Sequence, residues 1–205
     1  QAVLRDGPDF AIHTGDLVED GRDESLWQDF FTIEAPLLRN VPFVPVIGNH
    51  ELVGMMSTGL ENYRRYVHVT GSGPSEELDY TFRFANTRFV LVNSWDDWRG
   101  DSRDWLRREL ERARREGPDD WLFVVMHWGP RSSGPHGNND PLHRADVDDL
   151  IKRASVDLVI SGHDHAYERG DDHGLRYMVS GGGGAPLYPP DHRHRHSKVY
   201  APEYH

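Results

Sequence analysis

"VDLVISGHDHAYERG", residues 156 to 170, starts as a short apolar run and ends in small polar residues with two histidines two apart. Such a run, breaking into Gly, Asn, His or Asp, reads as a buried strand leaving the sheet for a loop. The same construction recurs in "DFAIHTGD" (9 to 16), "VPFVPVIGNH" (41 to 50), "WLFVVMHWG" (121 to 129) and "LRYMVSGGGG" (175 to 184). Between these runs, "DESLWQDFFTIEAPLLR" (23 to 39) spaces Leu26, Trp27, Phe30, Phe31, Ile33, Leu37 and Leu38 as one amphipathic helix. "DSRDWLRRELERARREG" (101 to 117) predicts a second, capped by Asp101 or Ser102, burying Trp105, Leu106, Leu110 and Ala113, and stopped by Gly117-Pro118. "RADVDDLIKRAS" (144 to 155) predicts a third, and "YTFRFANTRFVLVNS" (80 to 94) a hairpin around "ANT".

Strands alternating with helices define an α/β fold, in which ligands gather beyond the carboxyl ends of strands. Asp16, Asn49, His50, His127, His163 and His165 all follow apolar runs, so distant strands can deliver them to one rim. The "GGGG" at 181 to 184 is too brief for a linker and predicts a close approach of backbone to a site.

The 205 residues suit one domain, 1 to 205. A formal charge of −11 argues against a nucleic-acid partner, because phosphate tracking needs clustered Lys and Arg. A small anionic substrate would need local positive charge, and bound cations are its obvious source. No apolar run is long enough to span a membrane. The absence of cysteine excludes thiolate metal sites and thiol nucleophiles. Carboxylate, amide oxygen and imidazole remain, and these suit a hard or borderline cation. Two such cations sharing a bridging carboxylate would suit in-line displacement at phosphorus. "GNHE" and "GHxH" together arise by chance in on the order of one chain in ten thousand of this composition.

"GDLVEDG" (15 to 21), "GNHE" (48 to 51), "VVMHWGP" (124 to 130) and "GHDHAYER" (162 to 169) stand in the order of the calcineurin-like metallophosphoesterases, which the chain resembles over nearly its whole length. "HAYER", "SSGPHG" (132 to 137) and "GGGGAPLY" (181 to 188) resemble the branch of the purple acid phosphatases. The resemblance implies a four-layer α/β/β/α sandwich with two facing mixed sheets, and hydrolysis of a small phosphorylated substrate, monoester before diester, by a metal-activated hydroxide. A metal-binding but non-catalytic domain is the alternative. By motif position Asp16 would bridge two cations; Asn49, His127 and His163 would complete one, and His165 would belong to the other. His50 would contact the phosphoryl group and protonate the leaving oxygen, with Glu51 orienting it. His136 and Asn49 would reach the substrate phosphate. An extracytoplasmic setting also follows from the resemblance.

Three departures qualify these expectations. The family's opening Asp-x-His does not precede Asp16, where Asp6, Asp9 and His13 are the only candidates and none fits the motif. The first metal is therefore expected to be poorly held or absent, the first strand to be missing, and the sheet edge so exposed to open a route to association with another chain, such as a dimer. At the other end, "VYAPEYH" is expected to lack a closing strand. Glu19 stands where the purple enzymes place a tyrosine ligand, so Mn, Zn, Fe or Mg is expected rather than tyrosinate-bound iron.

Other features read more plainly. "DHRHRHSK" (191 to 198) alternates His192, His194 and His196 with Arg and reads as a solvated loop before a transition-metal site. Trp95, Asp96, Asp97 and Trp98 read as surface packing rather than a substrate groove. Arg107, Arg108, Arg112, Arg114 and Arg115 interleave with Glu109, Glu111 and Glu116 as a salt-bridged helix face. Ser132 and Ser133 lack the surroundings of a serine nucleophile.

Overall fold

The computed structural model describes residues 2–53, 58–71, 73–75, 77–96, 98 and 100–205. Asp97 therefore lies outside the described residues. Strands β1 (Ala11–His13) and β2 (Phe43–Pro45) pair in parallel as a small sheet. The other seven strands are β3 (Tyr80–Phe84), β4 (Thr87–Leu91), β5 (Trp121–Val125), β6 (Leu158–Ser161), β7 (Tyr167–Asp172), β8 (Leu175–Ser180) and β9 (Ser197–Ala201). They form one mixed sheet in the order β3-β4-β5-β6-β8-β7-β9. The helices are α1 (Ala2–Arg5), α2 (Glu24–Ile33), α3 (Ala35–Leu38), α4 (Thr58–Tyr66), α5 (Asp101–Glu116), α6 (Asp140–Arg144) and α7 (Val147–Arg153).

Strand periodicity decides which layer meets which. In β5, Leu122 and Val124 point to a core shared with Trp105, Leu106 and Leu110 of α5 and Leu150 and Ile151 of α7. Their neighbours Phe123 and Val125 point the other way, to Ile12 and Val44 of the small sheet. Beyond that sheet, Trp27 of α2 and Tyr63 of α4 close a third core with Leu17, Val18 and Ile47. Four layers result: helices, seven-stranded sheet, two-stranded sheet, helices. Trp27 is completely buried and its indole donates to the Gly21 carbonyl oxygen. Cutting it to alanine would cost about 3–5 kcal/mol.

The expected strands and the 80–94 hairpin are all present, with Tyr80 paired to Leu91 and Phe84 to Thr87. The single helix over 23–39 is corrected to two, because Pro36 lacks the N–H that an uninterrupted helix would need and instead sits in the first turn of α3. Ile33, placed inward by the spacing, is 71% exposed at the end of α2. The cap of α5 is Gly100 at φ 60°, not Asp101 or Ser102; the Ser102 hydroxyl donates to the Asp96 carboxylate instead. The helix over 144–155 begins only at Val147, since Arg144 closes α6. Strands β7 and β9 escaped the reading, because "YERGDD" and "SKVYA" are too polar to look like buried strands.

Candidate metal centre

Parallel pairing of β1 with β2, and of β5 with β6 and β6 with β8, brings their carboxyl ends to a common rim. The β5–β6 ladder runs on past the strands, with Met126 N–H donating to Ile160 and Gly162 N–H to His127. Asp16 and His163 then turn with φ of 57° and 68°, a left-handed conformation that Asp and His tolerate better than most residues. Gly48 lets the second loop close on the first: a Cβ there would sit 2.0 Å from Asp16 Oδ1. The tetraglycine expectation holds at Gly181, where a Cβ would lie 2.1 Å from the Asp164 carbonyl oxygen.

Three side chains converge on one atom of a fourth. His127 Nε2 lies 3.0 Å from Asp16 Oδ2, 3.2 Å from Asn49 Oδ1 and 3.2 Å from His163 Nδ1. Its other nitrogen, Nδ1, lies 2.6 Å from the Thr14 carbonyl oxygen, which can only accept, so Nδ1 carries the proton. In the neutral ring Nε2 is then a bare lone pair facing three further electron-rich atoms. A cation satisfies this arrangement, and a backbone carbonyl fixing the far nitrogen is the usual support of a metal-binding imidazole. Asp16, His127 and His163 each offer a ligand atom within 4.8 Å of the others. His165 is not in that group. Its Nδ1 faces the Pro186 carbonyl oxygen at 2.8 Å, and its ring stacks on Tyr188 at 4.2 Å, which leaves Nε2 as its open donor.

Electrostatics favour an unprotonated centre. Burial, with His127 and His136 adding to it, pushes the His163 imidazole down to about 3. Burial alone would raise Asp16, but its contacts with His127 and with the backbone N–H and ring of His50 hold its carboxyl below the usual range. His13, at the end of β1, is pushed down to about 4 by burial and by His127; its Nδ1 is buried without a hydrogen-bond partner.

One expectation is corrected. Glu51 does not orient His50. It is completely buried, and its carboxylate accepts the backbone N–H groups of Asp16, Leu17, Val18 and Gly48 at 3.0, 2.6, 3.3 and 2.8 Å. It therefore ties the loop after β1 to the loop after β2. Burial and the charge of Asp16 push this carboxyl up to about 7, against the pull of the Gly48 and Val18 N–H groups. His50 is oriented instead by the Glu19 carbonyl oxygen, 2.5 Å from its Nδ1, with Nε2 3.9 Å from Asp16 Oδ2. Burial acts to lower its imidazole, but the Glu19 carbonyl and the Asp16 charge outweigh this and leave it raised.

Exposed His136 stacks on His163 with ring centroids 4.0 Å apart. It is held by Asp164, which sequence reasoning passed over: Asp164 Oδ1 accepts the His136 N–H at 3.0 Å, and the Ser132 hydroxyl donates to Oδ2. A carboxylate between the two histidines of "GHDH", directly after a strand, was the available signal. Thr14 acts through its carbonyl and left no signal at all. Ser133 is likewise buried, its hydroxyl donating to Glu168 at 2.8 Å, so neither serine is free to act as a nucleophile. Trp98 is core, as expected of packing, but Trp95 stacks on Trp128 at 5.2 Å and meets His163 edge-on at 5.4 Å. No helix among the described residues is long and apolar enough to cross a membrane.

A four-layer α/β sandwich with this rim is the architecture of metal-dependent phosphoesterases, and the comparisons agree. The family model "Calcineurin-like phosphoesterase" matches residues 1–167, and the chain belongs to that family. It is 32% identical over 196 residues to an uncharacterized protein of Mycobacterium tuberculosis, covering 85% of this chain and 37% of the relative. Purple acid phosphatase 22 of Arabidopsis thaliana is 29% identical over 170 residues, covering 78% and 39%. The chain thus spans about two fifths of these relatives' length. Among solved structures, a purple acid phosphatase from yellow lupin, Lupinus luteus, superposes with a TM-score of 0.83 at 22% identity, covering 98% of this chain and 41% of that one. This likeness concerns the fold.

Proposed function

We propose that the chain is a metallophosphoesterase domain that hydrolyses phosphoester bonds with one or two bound cations. The observation that carries the proposal is the convergence of Asp16 Oδ2, Asn49 Oδ1 and His163 Nδ1 on Nε2 of His127. Asp16, Asn49, His127 and His163 would hold one cation, with His165 beside a second. When bound, Mn, Zn, Fe or Mg supplies Lewis acidity to the phosphoryl oxygen and acidifies a water. His50, anchored through Nδ1 to Glu19, presents Nε2 to the rim and gives its proton to the leaving oxygen. His136 and the Asn49 amide reach the phosphate from the sides. In a chain of charge −11 the cations also supply the attraction that a small anion needs. Relatives named purple acid phosphatases support monoesters over diesters, and an extracytoplasmic setting belongs to the same reading.

The test is turnover of p-nitrophenyl phosphate against its bis ester with Mn, Zn or Fe added. His50→Ala should lower turnover about 10²–10⁴-fold and leave metal content intact. Equal loss of both, or no metal-stimulated turnover of either ester, rejects the assignment. One observation favours the non-catalytic reading: His165 stands outside the three-residue ligand group. Metal-stimulated turnover together with bound ions that are lost with Asp16→Asn supports the enzyme; bound ions without turnover support the alternative.

A further inference from the structure

The loop "DHRHRHSK" reads as solvated in the sequence, yet its last histidine meets two residues from elsewhere. Asp172 ends β7, His173 follows it in the turn to β8 at φ 52°, and His196 immediately precedes β9. Backbone pairing fixes the meeting: Asp171 N–H donates to the His196 carbonyl oxygen at 3.1 Å, beside a register shift between Arg169 and Gly170. Each of the three residues then offers a ligand atom within 4.8 Å of the others. Asp172 Oδ1 lies 3.0 Å from His196 Nε2 and 3.9 Å from His173 Nε2.

The protons are again accounted for. Arg195 Nε donates to His196 Nε2 at 2.9 Å, so that nitrogen carries a lone pair, and it faces the Asp172 oxygen. The other oxygen, Oδ2, accepts Arg131 Nε at 2.8 Å and Nη2 at 2.5 Å, which points Oδ1 at the two rings. A carboxylate steadied from behind by a second donor is the support expected around a cation. His192 and His194 line the same open groove, and His194 Nε2 is buried with no hydrogen-bond partner.

We propose that Asp172, His173 and His196 form a second, mononuclear site for a borderline divalent cation such as Zn²⁺, separate from the phosphoesterase centre. Two imidazoles and one carboxylate are the donors such ions prefer, with water completing the shell. Arg195 is exposed and swings into solvent as the cation enters. The site fastens the β7–β8 turn to the loop that delivers β9, the edge strand of the large sheet. Bound cation therefore stabilises that edge, by an amount that grows with its free concentration.

The experiment is a Zn²⁺ titration of the chelator-stripped full chain carrying Asp16→Asn and His163→Ala, which disable the first centre. One Zn²⁺ per chain and a rise in Tm of several degrees are expected. Adding His173→Ala, at a turn side chain 75% exposed, should weaken binding at least tenfold and abolish the Tm rise measured against the same variant without cation. Absence of binding, or binding indifferent to His173→Ala, overturns the site. A second measurement uses a different readout on the same disabled background: substoichiometric Cu²⁺ should broaden the imidazole signals of His173 and His196. Sharp signals from both reject the proposal.

Discussion

Asp16, His127 and His163 stand just beyond the ends of three different strands and are backed by buried groups, whereas Asp172 and His173 come from one strand end and its turn and His196 from a loop. Both clusters offer two imidazoles and a carboxylate. The first is anchored from behind by the Thr14 carbonyl and by the Glu51 carboxylate, and two of its members hold uncommon left-handed backbone. The second leans on Arg131; its Asp172 is buried and its His196 half-buried, but its His173 is exposed on a turn. Identical donors therefore differ in how much order exists before a cation arrives. A site ordered by the fold loses little entropy on binding, whereas one that must be gathered loses more.

The sharpest way to break this comparison is to remove Glu51. Glu51→Ala leaves four buried N–H groups without their acceptor and should cost about 3–5 kcal/mol by urea unfolding. It should also weaken cation binding at the first cluster alone. If the loss is no larger than that of an exposed substitution, the first cluster is not held by its loops.

Next in size is His163→Ala, expected to weaken cation binding at the first cluster at least about 100-fold while the His173-dependent event is unchanged. Calorimetric titration of both variants reads this directly. Coupled losses would merge the two clusters into one thermodynamic unit.

The smallest effect sharpens the picture of burial. His163 is held down to about 3 in the folded, metal-free chain, against an ordinary value of 6.5. As pH falls below 6.5 the unfolded chain takes up this proton and the folded chain does not, so the residue's contribution to stability declines between 6.5 and about 3. The stability of the unmutated chain minus that of His163→Gln should fall by about 1 kcal/mol per pH unit in that window. A flat difference, measured in chelator, means that the ring accepts its proton in place.

Legibility in the sequence followed chemistry. Asp16, Asn49, His127 and His163 were legible because each sits in a short, rare motif directly after an apolar run. Strands with continuous apolar faces, such as β5 and β6, were equally plain. Glu51 was found but misread, since adjacency in "GNHE" suggested a contact with His50 that the turn of the chain does not make. Asp164 and Thr14 were not found, because one acts through a loop 28 residues away and the other through its backbone.

The sequence by itself determined the alternation of strands and helices, the donor types, the exclusion of thiol chemistry and the positions from which ligands are drawn. Those are properties of composition and local period, which a linear reading contains. Only the tertiary structure decided that four donors share one point, that Glu51 ties loops instead of steering a ring, and that Asp172 and His173 meet His196. Each of these depends on packing between segments far apart in the chain, whose relative placement is set by the sum of many contacts.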